Sequence, residues 1–175
     1  MKYSKLSEYK IKKVLRCFAD ELTASQAAKQ VELNRHTCNR LYQVFREDIA
    51  LYLQLEIDAD PLAASSGNSL FKQFLLKSKS RAKQTEGSIV EVVKTRNCIC
   101  TKIISTTYTY VQECNVKSQS GIGVIESFWS CFKRKIRKHN GIRGDKVYWY
   151  LKEAEFRFNF RHKNIYEELL KIVKM

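Results

Sequence analysis

The sequence predicts an α+β fold, with helices at both ends of the chain and a β-rich stretch between them. Three observations lead there. Residues 7–21 and 126–158 repeat apolar side chains at helical spacing, and residues 87–112 concentrate β-branched and aromatic types. Six Gly and one Pro in 175 residues, with 44% hydrophobic and 11% aromatic content, exclude fibrous and Pro/Gly-rich disordered classes. The length allows one ordinary domain, or a small module joined to part of a larger one.

In the first element, SEYKIKKVLRCFADE (7–21), Ile11, Val14, Leu15 and Phe18 form one stripe, with Lys10, Lys12, Lys13 and Arg16 between them. A second helix starts near Thr23 or Ser25, whose hydroxyls can cap free amides, and runs through Ala27 and Ala28 to Val31. Glu32-Leu33-Asn34 breaks the pattern, and Asn34 can cap a third helix. A short helix, a three-residue break and a longer polar helix have the layout of a helix-turn-helix over residues 1–50. Small Ala27 and Ala28 permit close helix crossing, Val31 and Leu33 fill the angle, and Leu41 with Val44 or Phe45 faces the core. The outward face then carries Arg35, His36, Asn39, Arg40 and Gln43, donors and acceptors suited to base edges and phosphates. The plainer alternative is a three-helix bundle whose polar face is merely solvated.

Residues 46–60 form a junction: REDIALYLQ can continue the third helix, and LEIDADP then alternates apolar and acidic before Pro61 ends it, which suits a short strand with carboxylates at its end. Residues 62–86 read as an ill-defined helix around Leu70, Phe71, Phe74, Leu75 and Leu76, then a basic linker. GSIVEVV and NCICTKIISTTYTYVQ predict two strands, as a hairpin, which are an edge-pairing liability unless covered. After Gly121 and Gly123, ESFWSCFKRKIRK puts Phe128, Trp129, Phe132 and Ile136 on one helical face. The three aromatics belong to a core more readily than to a base-stacking platform. Asp145 can cap a helix with Val147, Leu151, Ala154 and Phe158 on one stripe, and Asn164 with Glu167 can open a last one.

The net charge is +14, spread as +3 over residues 1–56, −2 over 57–60, +6 over 61–125 and +7 over 126–175, so it belongs to the body of the protein. Such an excess favours a polyanionic partner, because each cation placed on a phosphate releases counterions; nucleic acid and an anionic membrane surface are the candidates. No apolar run is long enough to span a membrane, and MKYSKLSEYK lacks the apolar stretch of a signal peptide, so a cytoplasmic location is expected. The six cysteines (17, 38, 98, 100, 114 and 131) are scattered and expected to be buried thiols, not bridges. His36, His139, His162 and Cys98-x-Cys100 lack the spacing of a zinc site.

GIGVIESFWSCFKRKIRKHNGI (121–142) and YLKEAEFRFNFRHKN (150–164) together resemble the C-terminal end of bacterial insertion-sequence transposases, the DDE enzymes of the ISXO-two-like group. The shared features are Ile-Glu-Ser-Phe-Trp-Ser, a Lys-Arg pair after it, Asn-Gly-Ile, and a closing Glu-x-x-Phe-Arg-Phe-Asn helix. Residues 1–50 are similar to that group's N-terminal helix-turn-helix, and Leu55-Glu56-Ile57-Asp58 to its first catalytic strand. The blocks cover about 110 residues of the chain.

The resemblance implies an RNase-H-like domain in which three carboxylates hold two Mg²⁺ or Mn²⁺ ions for phosphodiester cleavage and strand transfer. It implies Asp58 as first carboxylate and Glu126 as last, both metal ligands. Lys133, two helical turns after Glu126, faces the same way and can reach DNA phosphate; Arg134 and Arg137 are expected phosphate contacts given the global charge, the alternative being a merely solvated basic face. Arg157 and Arg161, at i and i+4, would form a second phosphate contact. The implied partners are insertion-sequence DNA ends and a second copy of the chain or an intact transposase, with no membrane.

The second catalytic aspartate has no counterpart, since no Asp lies between Asp60 and Asp145. Glu86, Glu91 and Glu113 are the only acidic residues from 61 to 120, and none stands in a similar motif. The expectation is an incomplete RNase-H-like domain: a first-strand remnant (51–60), a divergent middle (61–120) and a C-terminal part (121–175) left by an internal deletion. Three functions follow: a transposase relative with catalysis lost, a DNA-binding module that inhibits an intact transposase, or an active enzyme with a substituted carboxylate.

Overall fold

A computed structural model describes residues 6–59, 70–77, 87–94, 98–105, 122–139, 142 and 144–173. Helices α1 (Glu8–Ala19), α2 (Ala24–Val31) and α3 (Arg35–Ala59) precede strands β1 (Leu70–Lys77), β2 (Gly87–Lys94) and β3 (Ile99–Ser105). Helix α4 (Ile122–Lys138), a 3-10 turn (Gly144–Lys146), α5 (Val147–Asn159) and α6 (Ile165–Ile172) follow. The chain forms two compact units, Met1–Leu55 with Phe160–Met175, and Glu56–Asn159.

The first unit closes around Phe18, whose ring meets Tyr42 and Phe45 of α3 edge-on at 5.0 and 5.6 Å. Ile11, Val14, Leu15, Ala27, Ala28, Val31, Leu41 and Ile49 are buried with them, as the apolar spacing requires. Helix α6 packs on α1, contributing Leu169, which is fully buried, and Tyr166, over which Arg16 lies at 4.8 Å. Asn164 caps α6 by accepting from the Tyr166 amide at 3.1 Å, and its own amide donates to Glu167 at 3.0 Å.

The second unit holds an antiparallel sheet in the order β1-β2-β3, with Leu70 opposite Lys94 and Val92 opposite Thr101. The hairpin expected from residues 87–112 is thus present as β2 and β3. Helix α4 lies against β1 and β2, and α5 against β3. Between them Val90, Val92, Ile99, Ile125, Phe128, Trp129, Phe132, Leu151 and Ala154 make one core, so the three aromatics of α4 are core residues. Phe128 stacks on Phe132 and meets Phe158 edge-on.

Four expectations change. The helix continuation expected over residues 46–54 is present, but residues 55–59 are not a strand: α3 runs unbroken to Ala59, which places Asp58 in its last turn. Extending an existing helix adds a hydrogen bond per residue, whereas a four-residue alternation has no partner strand here, and the helix stops two residues before Pro61. Residues 70–77 are a strand, not a helix, because β2 offers eight residues of in-register pairing that outweigh a weak helical spacing. Helix α5 ends at Asn159, so Arg157 and Arg161 do not share a helix face. Asp145 lies inside the 3-10 turn that leads into α5. Glu86 and Glu113 lie outside the described residues, as do the side chains of Asp58 and Glu91.

Candidate nucleic-acid interface

The α2–turn–α3 segment is built from local hydrogen bonds. Thr23 Oγ1 accepts from the Gln26 amide at 3.3 Å, while Gln26 Oε1 accepts from the Thr23 amide at 2.9 Å, a reciprocal capping box. Helix α2 ends when Glu32 turns left-handed (φ 54°), letting the Leu33 amide donate back to Ala28 O at 3.0 Å. Asn34 Oδ1 then accepts from the His36 amide at 2.8 Å and starts α3. Tyr42 pins α3 to the turn between α1 and α2 by donating its hydroxyl to Leu22 O at 3.0 Å. Arg46, though charged, is buried against Phe18 and Tyr42, with its guanidinium 5.6 Å from the Phe18 ring.

These constraints orient α3 so that Cys38, Leu41, Tyr42 and Phe45 point inward while Arg35, His36, Asn39 and Arg40 are exposed. Arg35 and Asn39 are four residues apart, as are His36 and Arg40, so the four side chains form one polar patch over the first two turns. Gln43 is half-buried, and its amide donates to Glu47 at 3.2 Å. Lys29 of α2 is exposed. The patch combines cationic forks with an amide, the side chains that pair bidentately with guanine and adenine edges.

Helix α4 separates its faces as sharply. Glu126, Lys133, Arg134, Arg137 and Lys138 are exposed opposite the aromatic core, and the four cations crowd the helix C-terminus, where the dipole favours positive charge. Lys135 is different: its ammonium donates to Glu153 at 2.6 Å. Arg157 Nε meets the same carboxylate at 3.0 Å with its side chain only 12% exposed. Arg157, expected from the resemblance to contact phosphate, is thus an ion-pair partner of Glu153 and largely out of solvent. Arg161 is exposed in the turn after α5.

Glu155, on α5, was not anticipated by sequence reasoning. Its Oε2 accepts from the Thr101 amide at 3.0 Å, from the Thr101 hydroxyl, and from Lys152 at 2.9 Å. Lys152 also donates to Thr101 O at 2.9 Å. Asn159 completes the row, accepting from the Ile99 amide at 2.8 Å and donating to Ile99 O at 2.9 Å. Three polar side chains at positions 152, 155 and 159 thereby satisfy the open edge of β3 as a partner strand would. Burial pushes the Glu155 carboxyl above the usual carboxylate range, with Lys152 and Thr101 pulling the other way. The available signal was polar residues at three- and four-residue spacing on an otherwise apolar helix.

The fit of a divalent pair can be judged from the donors. Glu126 is a solvent-facing helix residue, and among the described residues no three of His, Cys, Asp or Glu gather into a metal-holding group. Two hard ions need several oxygen donors on one spot. Glu126 is the one implied ligand whose side chain is described, that of Asp58 lying outside the described residues. Compared with protein-family models, with curated proteins and with solved structures, the chain matches none. No helix among the described residues is long and apolar enough to cross a membrane.

Proposed function

We propose that the protein is a transposase-derived DNA-binding protein that recognises insertion-sequence ends through α2 and α3 and has lost transposition chemistry. The observation that carries this reading is the exposed patch of Arg35, His36, Asn39 and Arg40, held on a capped and anchored helix. Such a backbone suits base readout, because little backbone freedom is left to lose on binding. The net charge of +14 supports a polyanionic partner. The exposed cations of α4 (Lys133, Arg134, Arg137 and Lys138) supply a second candidate for phosphate contact.

The strings shared with the DDE transposases support the ancestry, and the β1-β2-β3 sheet covered by helices is compatible with a remnant of an RNase-H-like domain. The missing middle aspartate supports loss of Mg²⁺- or Mn²⁺-dependent cleavage. A protein that keeps end recognition without cleavage would compete with an intact transposase for the same ends.

The test is binding to duplexes carrying whatever inverted repeats the sequenced locus shows on either side of the gene, at several salt concentrations and against random competitor. The expected result is a preference for the ends that weakens with salt, and Asn39→Ala should reduce that preference by about tenfold, the scale of one bidentate base contact. Equal affinity for all duplexes would overturn end recognition. Cleavage or strand transfer with Mg²⁺ or Mn²⁺ that disappears in Glu126→Gln would overturn the loss of chemistry. Reading the locus in three frames tests the deletion: an undisrupted frame within an intact element would sink it.

A further inference from the structure

Two leucines in the C-terminal half of α3, Leu51 and Leu55, stand 62% and 59% exposed. With Val44 and Asp48, both half-buried, they are spaced four, three and four residues apart, the a and d spacing of a helix–helix seam. One flank of the seam is closed by Tyr52, whose ring lies 6.4 Å from that of Phe160. The seam itself faces water and runs for about 16 Å along the helix.

We propose that this seam pairs antiparallel with the same seam of a second copy of the chain, and that the pair sets the spacing of the DNA half-sites. The half-site part rests on the DNA-binding reading of α2 and α3. Charge selects the direction. From Glu47 to Asp60 the sequence holds five carboxylates and no Lys or Arg, whereas Arg35, His36 and Arg40 precede the seam. A parallel pair would set Glu47 and Asp48 beside their own copies, like charge on like. In an antiparallel pair Val44 meets Leu55, Asp48 meets Leu51, and Arg40 comes level with the last turn of the second helix, where the sequence has Asp58. Because the seam is short and carries one carboxylate, the pair is weak in solution and is completed on DNA.

The same register fixes where the two polar patches fall. The twofold axis passes between Ile49 and Ala50, about twelve residues from the middle of the Arg35, His36, Asn39 and Arg40 patch, so the two patches come about 36 Å apart. One turn of B-DNA separates half-sites by about 34–36 Å. The patch lies about a third of a turn around α3 from the seam, so a twofold normal to the plane of the two helices leaves both patches on one face. Sliding the register until Leu51 meets Leu55 would bring Asp48 level with Asp58 and move the patches to about 46 Å, which fits neither the charges nor the DNA.

The experiment offers the full-length protein a random duplex library and sequences what it retains. The expected sites are inverted repeats with half-site centres about 10–11 base pairs apart and two chains on each duplex. Leu51→Glu combined with Leu55→Glu, both at exposed positions, should keep the half-site sequence but place one chain on a duplex, with full-site affinity lower by at least about tenfold. A second measurement needs no DNA: Val44→Cys with Leu55→Cys, in a Cys114→Ser and Cys131→Ser background, should cross-link two chains under diamide, because the two positions are about 16 Å apart within one chain. Single or directly repeated sites holding one chain each would overturn the pairing and leave DNA recognition standing. A cross-linked dimer that prefers no duplex would support the pairing and sink the DNA reading instead. A chain that gives no cross-link, and melts at lower temperature with the two glutamates, covers the seam with its own residues, and that result would also overturn the pairing.

Discussion

Glu21 and Glu32 follow α1 and α2 in the left-handed conformation that glycine adopts without penalty, with φ of 57° and 54°. Each is followed by a leucine whose amide reaches back five residues, Leu22 to Cys17 O and Leu33 to Ala28 O, both at 3.0 Å. The turns are thus set by hydrogen bonding and leucine burial despite a Cβ penalty of about 1 kcal/mol each. Glu32→Gly should raise thermal stability by a few degrees, and Glu32→Val should lower it, in melting curves followed by circular dichroism. A lower melting temperature for Glu32→Gly would contradict the strain assigned here. At this scale the sequence was legible where bonding is local: a cap at Thr23 or Ser25 and one at Asn34 need only residues two or three apart, although the reciprocal bond from Gln26 was not read. The Arg157–Glu153 pair has the legible spacing i−4, but its burial comes from tertiary packing and was not legible.

Helix α5 and strand β3 form the element pair that sequence reasoning could not foresee. The sequence exposed the hairpin's edge as a liability, yet the cover comes from Lys152, Glu155 and Asn159, more than 50 residues away along the chain. Strand β1 was missed for a related reason, since its pairing partner, not its own spacing, decides it. The buried Glu155 makes the lock testable by pH. A carboxyl whose folded-state pKa is raised holds its proton more readily when folded, so its contribution is full below the usual carboxylate range. That contribution is lost as pH rises through the raised value. The stability advantage of the wild type over Glu155→Gln, from urea unfolding, should therefore narrow as pH increases from about 4. A widening gap would mean that pairing with Lys152 outweighs burial.

At the scale of the whole molecule, the two chain ends belong to one unit, while the sheet and its helices form the other. Composition and periodicity located the helices of both ends but carried no sign that α6 would complete the core begun by α1, because one buried face of an eight-residue helix names no partner. Leu169 is fully enclosed there, and truncating such a leucine to alanine costs about 2–5 kcal/mol. A contiguous N-terminal module would not feel that loss, whereas a unit closed by α6 would. Leu169→Ala should accordingly speed hydrogen exchange of α1 amides at least about thirtyfold, the equivalent of 2 kcal/mol, in peptide-resolved mass spectrometry. Exchange in β2 and β3 should stay near the wild-type rate. Because α3 is anchored to α1 through Phe18 and Tyr42, the same variant should also weaken binding to DNA ends without altering any residue of the patch. Unchanged exchange in α1 would show that the N-terminal helices hold together without the C-terminal one, and would return residues 1–50 to the status of an independent module.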